Sequence, residues 1–356
     1  SLEKLKKTNK FKKLIPNNNN DWINKGNEKF NNFNPLITKK KISNESIFKN
    51  YTLGVATNRD AWVYNSSIRE LKKNVHKIID NYNEALNNSI SKEKAYAIPE
   101  TEIKWTRSLK RAFESGEKLQ MKNGSFITAL YRPFHKQKLY LSNQLNESMG
   151  RTNLFIKNDS DLQICINGVG ASDGVSALMT NCIVDLNMLE AGAHCFPLKK
   201  YENNNQENDL FSINNSEFQE FDGISNFGRQ HFIETYPKIN IDNEDIFYYV
   251  YGLLHSKDYR RRFKNNFAKE LPRIPLVKNS DDFKKFSKAG RELGELHVNF
   301  ENVEPYNVHY KEGDERLWVV DDLSSFYKVK KMKFGGNRAE PDKTTVIYNE
   351  NITMIN

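Results

Sequence analysis

The sequence has few of the features on which exported, membrane-spanning or nucleotide-hydrolysing proteins depend. Its 356 residues include only three cysteines, Cys165, Cys182 and Cys195, an odd number without Cys-x-x-Cys spacing. That argues against a disulfide framework and a zinc site, and it suits a reducing cytosol, the compartment expected for this chain. No apolar run approaches the roughly 20 residues a helix needs to cross a bilayer, so no membrane partner is expected. The basic amino terminus also lacks the apolar stretch of a signal peptide. No Gly-x-x-x-x-Gly-Lys-[Ser/Thr] loop occurs, which excludes the usual phosphate cradle of an ATPase. The Asn-Pro-Pro-aromatic tetrapeptide with which an amino-methylating enzyme holds a flipped base is missing too, and Asn34-Pro35-Leu36-Ile37 is a partial match that fails.

Other traces of chemistry are weak. Asn167-Gly168-Val169-Gly170-Ala171 follows a β-like run and imitates a cofactor loop, but a lone Gly-x-Gly without a downstream acidic partner reads more simply as a surface loop. Glu340-Pro341-Asp342-Lys343 is a fragment of a metal-dependent nuclease set and reads better as a turn. His194 beside Cys195 is the one adjacent pair of potential ligands or of nucleophile and base, with a structural role as the default. We therefore assign no catalytic residue, no metal ligand and no cofactor to this chain.

What is present is a globular composition with a very polar surface. Hydrophobic residues make up 38% and aromatics 12%, with 22 Phe and 16 Tyr, enough for a sizeable core. Residues 1–50 read as an extended lead in which Trp22, Phe30, Phe33 and Pro35 act as anchors. Ser67-Ile68-Arg69-Glu70 is a capping box, and Ile68, Leu71, Val75, Ile78, Ile79, Tyr82 and Leu86 follow at helical spacing. Trp105, Leu109, Ala112 and Phe113 mark a second, shorter helix. Between 124 and 200, short β-like runs alternate with Asn, Gly and Ser clusters, the texture of a sheet with long loops. The polar stretch 201–226 reads as a flexible insertion or linker. Helical spacing returns from Ile246 to Leu271 and from Asp282 to His297, and the tail from Trp318 to Ile355 reads as strands around Gly335-Gly336. The fold class expected is α+β: a mixed sheet with long loops and a helical C-terminal half. The parts expected are a lead over 1–50, a β-rich recognition part with two helices over 51–225, and a helical part with terminal strands over 226–356.

Lys plus Arg exceed Asp plus Glu by 9, a surface suited to a polyanion. The cations gather beside aromatic residues: Lys104, Arg107, Lys110 and Arg111; Arg132, Lys136 and Lys138; and Lys257, Arg260, Arg261, Arg262 and Lys264. For the last group a solvated helix face explains the pattern equally well. The candidate DNA contacts are Arg132, Lys136, Lys138, Arg151 and Lys157, with Arg107 and Arg111 on phosphates. Arg59-Asp60 and Tyr131 to Phe134 have a competing structural reading, buried Arg–Asp pairing and aromatic packing.

Several ordered segments carry a family resemblance. They are Ile15-Pro16, Asp21-Trp22-Ile23, Gly54 through Asn65, Tyr131-Arg132-Pro133-Phe134, Cys195-Phe196-Pro197-Leu198, Asp245 through Ser256, Glu270 through Pro275 and Glu295 through Asn299. Together they resemble the C-terminal region of type ISP restriction-modification enzymes, bacterial single chains that join nuclease, helicase, adenine methyltransferase and target-recognition parts. The resemblance spans nearly the whole chain and is loose between Ser142 and Ala193. It implies a non-catalytic, sequence-reading module for double-stranded DNA, trimmed from a longer polypeptide at both ends. Its partners would be the methyltransferase and helicase domains of that polypeptide, where S-adenosylmethionine, ATP and Mg would bind. Two rival readings are an adenine methyltransferase with its own S-adenosylmethionine site at the Gly168 loop, and a protein-docking scaffold acting through 245–300.

Overall fold

The computed structural model describes residues 14–17, 20–23, 25–38, 45–88, 90–172, 174–203, 218–327, 329 and 332–356. Residues 1–13 of the lead and 204–217 of the expected linker lie outside them. The chain divides into two compact units, residues 1–300 and 301–356.

In the first unit, a 3-10 turn at Glu28–Asn32 leads into β1 (Asn34–Pro35), then β2 (Thr52–Leu53), helix α1 (Asp60–Val63) and β3 (Tyr64–Asn65). Three helices follow: α2 (Ile68–Asn87), α3 (Lys92–Tyr96) and α4 (Arg107–Glu114). The β-rich stretch comprises β4 (Gly124–Arg132), β5 (His135–Ser142), β6 (Gln163–Ile166), β7 (Ala177–Thr180), β8 (Ile183–Val184) and β9 (His194–Pro197). It ends in the antiparallel ribbon of β10 (Lys199–Asn203) and β11 (Phe218–Asp222). Helices α5 (Asn226–Thr235), α6 (Asn243–Leu254), α7 (Lys257–Arg262) and α8 (Lys264–Phe267) come next, then β12 (Arg273–Ile274) and α9 (Ser280–Val298). The architecture is mixed α+β, with helices concentrated after the sheets.

Two four-stranded sheets organise this unit, in the orders β2-β9-β6-β7 and β3-β5-β4-β8. In the first, all four residues of β6 are buried, so both faces of the strand are covered. Register explains how. Cys165 lies opposite Leu178 and Cys195, and these three belong to a small core shared with Leu130 and Val184 of the second sheet. Their neighbours Ile164, Met179 and Phe196 point the other way, into the large core built with the helices. The second sheet packs its Ala129 and Leu139 against α2, whose Leu71, Val75, Ile78, Ile79 and Tyr82 form the buried stripe expected from their spacing.

The start of α2 departs from the expected reciprocal cap. The Ser67 hydroxyl accepts from the Glu70 N–H at 3.4 Å, but the Ser67 N–H donates to the Asn65 side chain at 2.8 Å, so the second half of the box is filled from outside the helix. The lead is pinned at Phe30, whose ring packs on Phe263 and Phe267 at 5.2 and 5.6 Å, and by the pairing of β1 with β12, whereas Trp22, expected as an anchor, is exposed. Where the helical pattern is expected to carry from Ile246 through to Pro272, the chain breaks at His255–Ser256, after α6, and again at Phe263, between the short helices α7 and α8.

Helix α6 is buried at Ile246 through Tyr251 and at Leu253 and Leu254, the pattern of a helix with protein on every side. Its N-terminus has a full capping box between Asp242 and Asp245. It crosses α9 at two glycines: a Cβ on Gly290 would overlap the Tyr248 carbonyl, and one on Gly252 the Phe286 carbonyl. No side chain fits between these backbones.

In the second unit, β13 (His309–Tyr310), helix α10 (Leu323–Phe326), β14 (Lys333–Gly336), β15 (Pro341–Ile347) and β16 (Thr353–Ile355) give one antiparallel sheet in the order β13-β16-β15-β14. Its packing rests on aromatics, with Tyr310–Trp318 and Trp318–Phe326 ring centroids 5.2 and 5.6 Å apart.

Gly290→Ala is expected to lower stability by about 1–3 kcal/mol, the usual cost of overpacking, because the collision is with backbone and cannot be relieved by a rotamer. Chemical denaturation of the two proteins measures the difference.

Candidate nucleic-acid interface

Strands β4 and β5 form a long hairpin closed by Pro133 and Phe134, with Arg132 opposite His135. Phe134 sits at φ 56°, a left-handed conformation that a bulky residue adopts only when its surroundings hold it there. Its ring packs edge-on against His297 and Phe300, at 5.2 and 5.5 Å.

Arg132 is the knot of the region. Its Nη1 donates to the Asp185 carboxylate at 2.8 Å and to the Tyr131 carbonyl at 2.6 Å, and Nη2 lies 3.7 Å from the Asp60 carboxylate. The guanidinium also stacks 3.8 Å over the Tyr131 ring. Tyr131 in turn donates its hydroxyl proton to Asp60 at 2.9 Å, and Asp60 accepts from Thr57 as well. The Asp185 side chain is only 2% exposed, whereas that of Arg132 is 36% exposed. Burial pushes the Asp185 carboxyl up, and the Asn187 N–H and Arg132 pull against it. Three segments remote in sequence are thereby joined: the 57–60 loop, the hairpin end and the stretch after β8.

The Arg–Asp pairing of the structural reading forms between Arg132 and Asp60, not between the neighbours Arg59 and Asp60. Arg59 donates to Thr106 instead, and Asp60 belongs to the Arg132 and Tyr131 cluster. Nothing in the sequence marks Asp185, which lies 53 residues from its partner.

The other candidate cations fall into three places. Lys136 and Lys138 stand two apart on β5, hence on one face; Lys138 donates to Thr128 at 2.8 Å and the Lys136 ammonium lies 5.0 Å from the Phe300 ring centroid. Arg107 and Arg111 lie four residues apart on α4, one turn of the same face. Arg107 is 76% exposed, 3.4 Å from Glu147. Arg151 and Lys157 belong to the segment after β5. The Arg151 N–H donates to Thr52 at 2.8 Å with its side chain exposed, and the Lys157 ammonium sits 3.5 Å over the Phe218 ring. The hairpin thus unites Arg132, Lys136 and Lys138, while the other four cations stand on separate elements.

Glu147 ties α4 to the segment that carries Arg151. It accepts from the Ser108 N–H at 3.1 Å and the Ser108 hydroxyl at 2.7 Å. Burial alone would raise this carboxyl, but the hydrogen bonds from Ser108, Thr106 and Arg107 outweigh it and hold the group down at about 2.

The remaining sequence signals resolve into structural roles. Gly168 lies so close to the Ala191 carbonyl that a Cβ would overlap it, and its N–H donates to the Glu190 carbonyl at 3.1 Å. That contact accounts for the glycine. His194 and Cys195 point to opposite faces of β9: His194 stacks on Tyr51 at 5.5 Å, and the Cys195 thiol lies 3.4 Å from that of Cys165. Asp342 accepts from the N–H and hydroxyl of Thr344, at 2.9 and 2.6 Å, within the terminal sheet. Among the described residues no group of three or more His, Cys, Asp or Glu is placed to hold a metal ion, and no helix is long and apolar enough to cross a membrane.

Residues 46–356 match the family described as the type ISP C-terminal specificity domain. The chain belongs to that family. Three solved structures resemble this specificity domain over nearly its whole length. The ATP-dependent type ISP restriction-modification enzyme LlaBIII bound to DNA is 31% identical, with a TM-score of 0.76 over 98% of this chain and 21% of that one. A nuclease-deletion mutant of the type ISP enzyme LlaGI, in complex with a DNA substrate mimic, is 32% identical, with a TM-score of 0.72 over 96% of this chain and 24% of that one. The DrdV–DNA complex is 28% identical, with a TM-score of 0.77 over 99% of this chain and 34% of that one. The domain therefore spans between a fifth and about a third of these relatives. No curated protein matches it.

Removing Arg132 leaves Asp185 buried without its partner. Arg132→Ala is expected to cost about 3 kcal/mol of stability, the low end for breaking a buried pair because Arg132 is itself partly exposed. Lys136→Ala and Lys138→Ala should each stay within about 0.5 kcal/mol of the unsubstituted chain. Urea titration separates the two classes.

Glu147 gives a pH signature. A carboxyl lowered by folding contributes stability that is present above its ordinary pKa of 4.5 and is lost as pH falls through about 2. Glu147→Gln is thus expected to melt below the unsubstituted domain at pH 7, with the gap closing toward pH 2 in thermal melts. An unchanged gap would show that Glu147 acts by packing alone.

Proposed function

We propose that this specificity domain holds duplex DNA and reads its sequence, while methylation and ATP-dependent restriction are carried out by other parts of a longer polypeptide. The observation that carries the reading is the agreement of the fold, over at least 96% of the chain, with three proteins each captured with DNA. The charge excess of 9 supports it.

On this reading the stretch 51–225 carries the DNA-facing surface, 226–356 is a helical part with terminal strands, and 1–50 is the lead that follows the methyltransferase domain. Lys136 and Lys138 on the hairpin, and Arg151 and Lys157 after it, contact the DNA, while Arg107 and Arg111 on α4 contact phosphates and set register. Arg132 has a double part. Its bonds to Asp185 and Tyr131 fix the hairpin, and its exposed edge faces the groove side. The methyltransferase and helicase domains of the parent chain are the protein partners, and S-adenosylmethionine, ATP and Mg belong to those domains rather than to this one. A methyltransferase that turns adenine out of the stack needs its duplex held from another side, and a separate reader supplies that hold.

Fluorescence anisotropy with a labelled duplex tests the proposal. The domain is expected to bind at low ionic strength with log K falling linearly in log salt, by about 0.9 per phosphate neutralised. The Lys136→Ala, Lys138→Ala double variant should bind more weakly with a shallower slope. Absence of binding at low salt, or a calorimetric affinity of this domain for S-adenosylmethionine, overturns the assignment.

A further inference from the structure

A cavity of about 480 Å³ opens beside the Arg132 knot, between the loop and helix at residues 56–62, the segment around Lys104 and the stretch at 186–187. Its walls include Thr57, Asn58, Arg59, Trp62, Lys104 and Asn187. The volume lies within the range of about 300–1,000 Å³ typical of sites that hold small ligands.

The wall charges are unevenly matched. Glu100, also in the wall, forms a salt bridge with Lys104. Asp60 accepts from Thr57 and Tyr131 and faces Arg132. Arg59 is different. It is 2% exposed, its guanidinium makes one hydrogen bond among the described residues, to the neutral Thr106 hydroxyl, and neither Nε nor Nη1 meets a partner among them. Glu147 acts on it only as a nearby charge while its own oxygens serve Ser108 and Arg107. A buried guanidinium with unmet N–H groups is costly unless an anion compensates it. At the rim stand two exposed amides: Asn58, held in the left-handed region at φ 54°, and Asn187.

We propose that this cavity takes a phosphodiester of the DNA backbone, with Arg59 as its counter-charge and Asn58 and Asn187 as donors at its mouth. The assignment rests on the DNA-holding role proposed above. The balance of charge selects the ligand. A phosphodiester carries one negative charge and several acceptor oxygens, matching the unmet guanidinium N–H groups and two neutral amides. A base edge supplies acceptors but no charge to reinforce the hydrogen bonds of a guanidinium. Such a contact fixes the position of the backbone relative to the hairpin and carries no sequence information.

The test uses the whole domain and two duplexes of unrelated sequence, titrated at several salt concentrations. Arg59→Gln removes the charge and is expected to weaken both duplexes by the same factor, and to make the slope of log K against log salt shallower by about 0.9, the value of one phosphate. Because Arg59 is buried, Asn58→Asp and Asn187→Asp serve alongside it. Both positions are exposed, and Asp tolerates the left-handed backbone at 58. Each carboxylate at the mouth should weaken both duplexes equally with the melting temperature unchanged. Folded variants with unsubstituted affinity and slope overturn the cavity assignment, and so does a loss confined to one duplex, which would mark a base reader. If the unsubstituted domain binds neither duplex, the DNA-holding reading falls and this inference with it.

Discussion

A carboxylate with almost no access to water governs the arrangement of this domain. Asp185 follows directly on β8, which pairs in parallel with β4, and its charge is met by Arg132 from the end of that same strand. Desolvating a carboxylate costs several kcal/mol unless a cation and hydrogen bonds are in place, so the two ends of the β4–β8 pair are held in one register. Asp60 and Tyr131 extend the constraint to the loop before α1. The hairpin can therefore carry its cations into solvent without drifting relative to the two cores beneath it.

Those cores meet across one sheet. Because β6 is covered on both sides, its small face, with Cys165 against Cys195 and Leu178, joins the hairpin sheet, and its large face, with Ile164 against Phe196 and Met179, joins the helices. Helices α5 to α9 are thereby coupled through β6 to the sheet that carries the hairpin. The glycine crossing of α6 and α9 serves the same end, since helix backbones in direct contact leave little room for sliding.

Much of this is legible in the sequence alone, and the limits have physical causes. The period of apolar residues placed α2 and α9 to within a few positions, because an amphipathic stripe is a local property. The family was legible from ordered short segments such as Tyr131 to Phe134. The partners of charges were not. Arg59 and Asp60 are adjacent in sequence, yet neighbours in a chain point to different sides, and each has its counterpart elsewhere. Asp185 carried no signal, since ion pairing over 53 residues depends on strand order rather than spacing. The break between α7 and α8 at Phe263 was hidden for a related reason: the apolar period continues while the backbone turns to reach β12.

The β10–β11 ribbon has a bearing on how such a domain diversifies. Its last paired residues, Asn203 and Phe218, face each other across one ladder, and the first pair, Lys199 with Asp222, is seated beside β9 and the core. Whatever polypeptide is spliced between 203 and 218 leaves and rejoins the body at one point. Closing a longer excursion there adds only about 0.6 kcal/mol for each doubling of length. The ribbon is thus a point at which chain length can change without refolding the body that holds it.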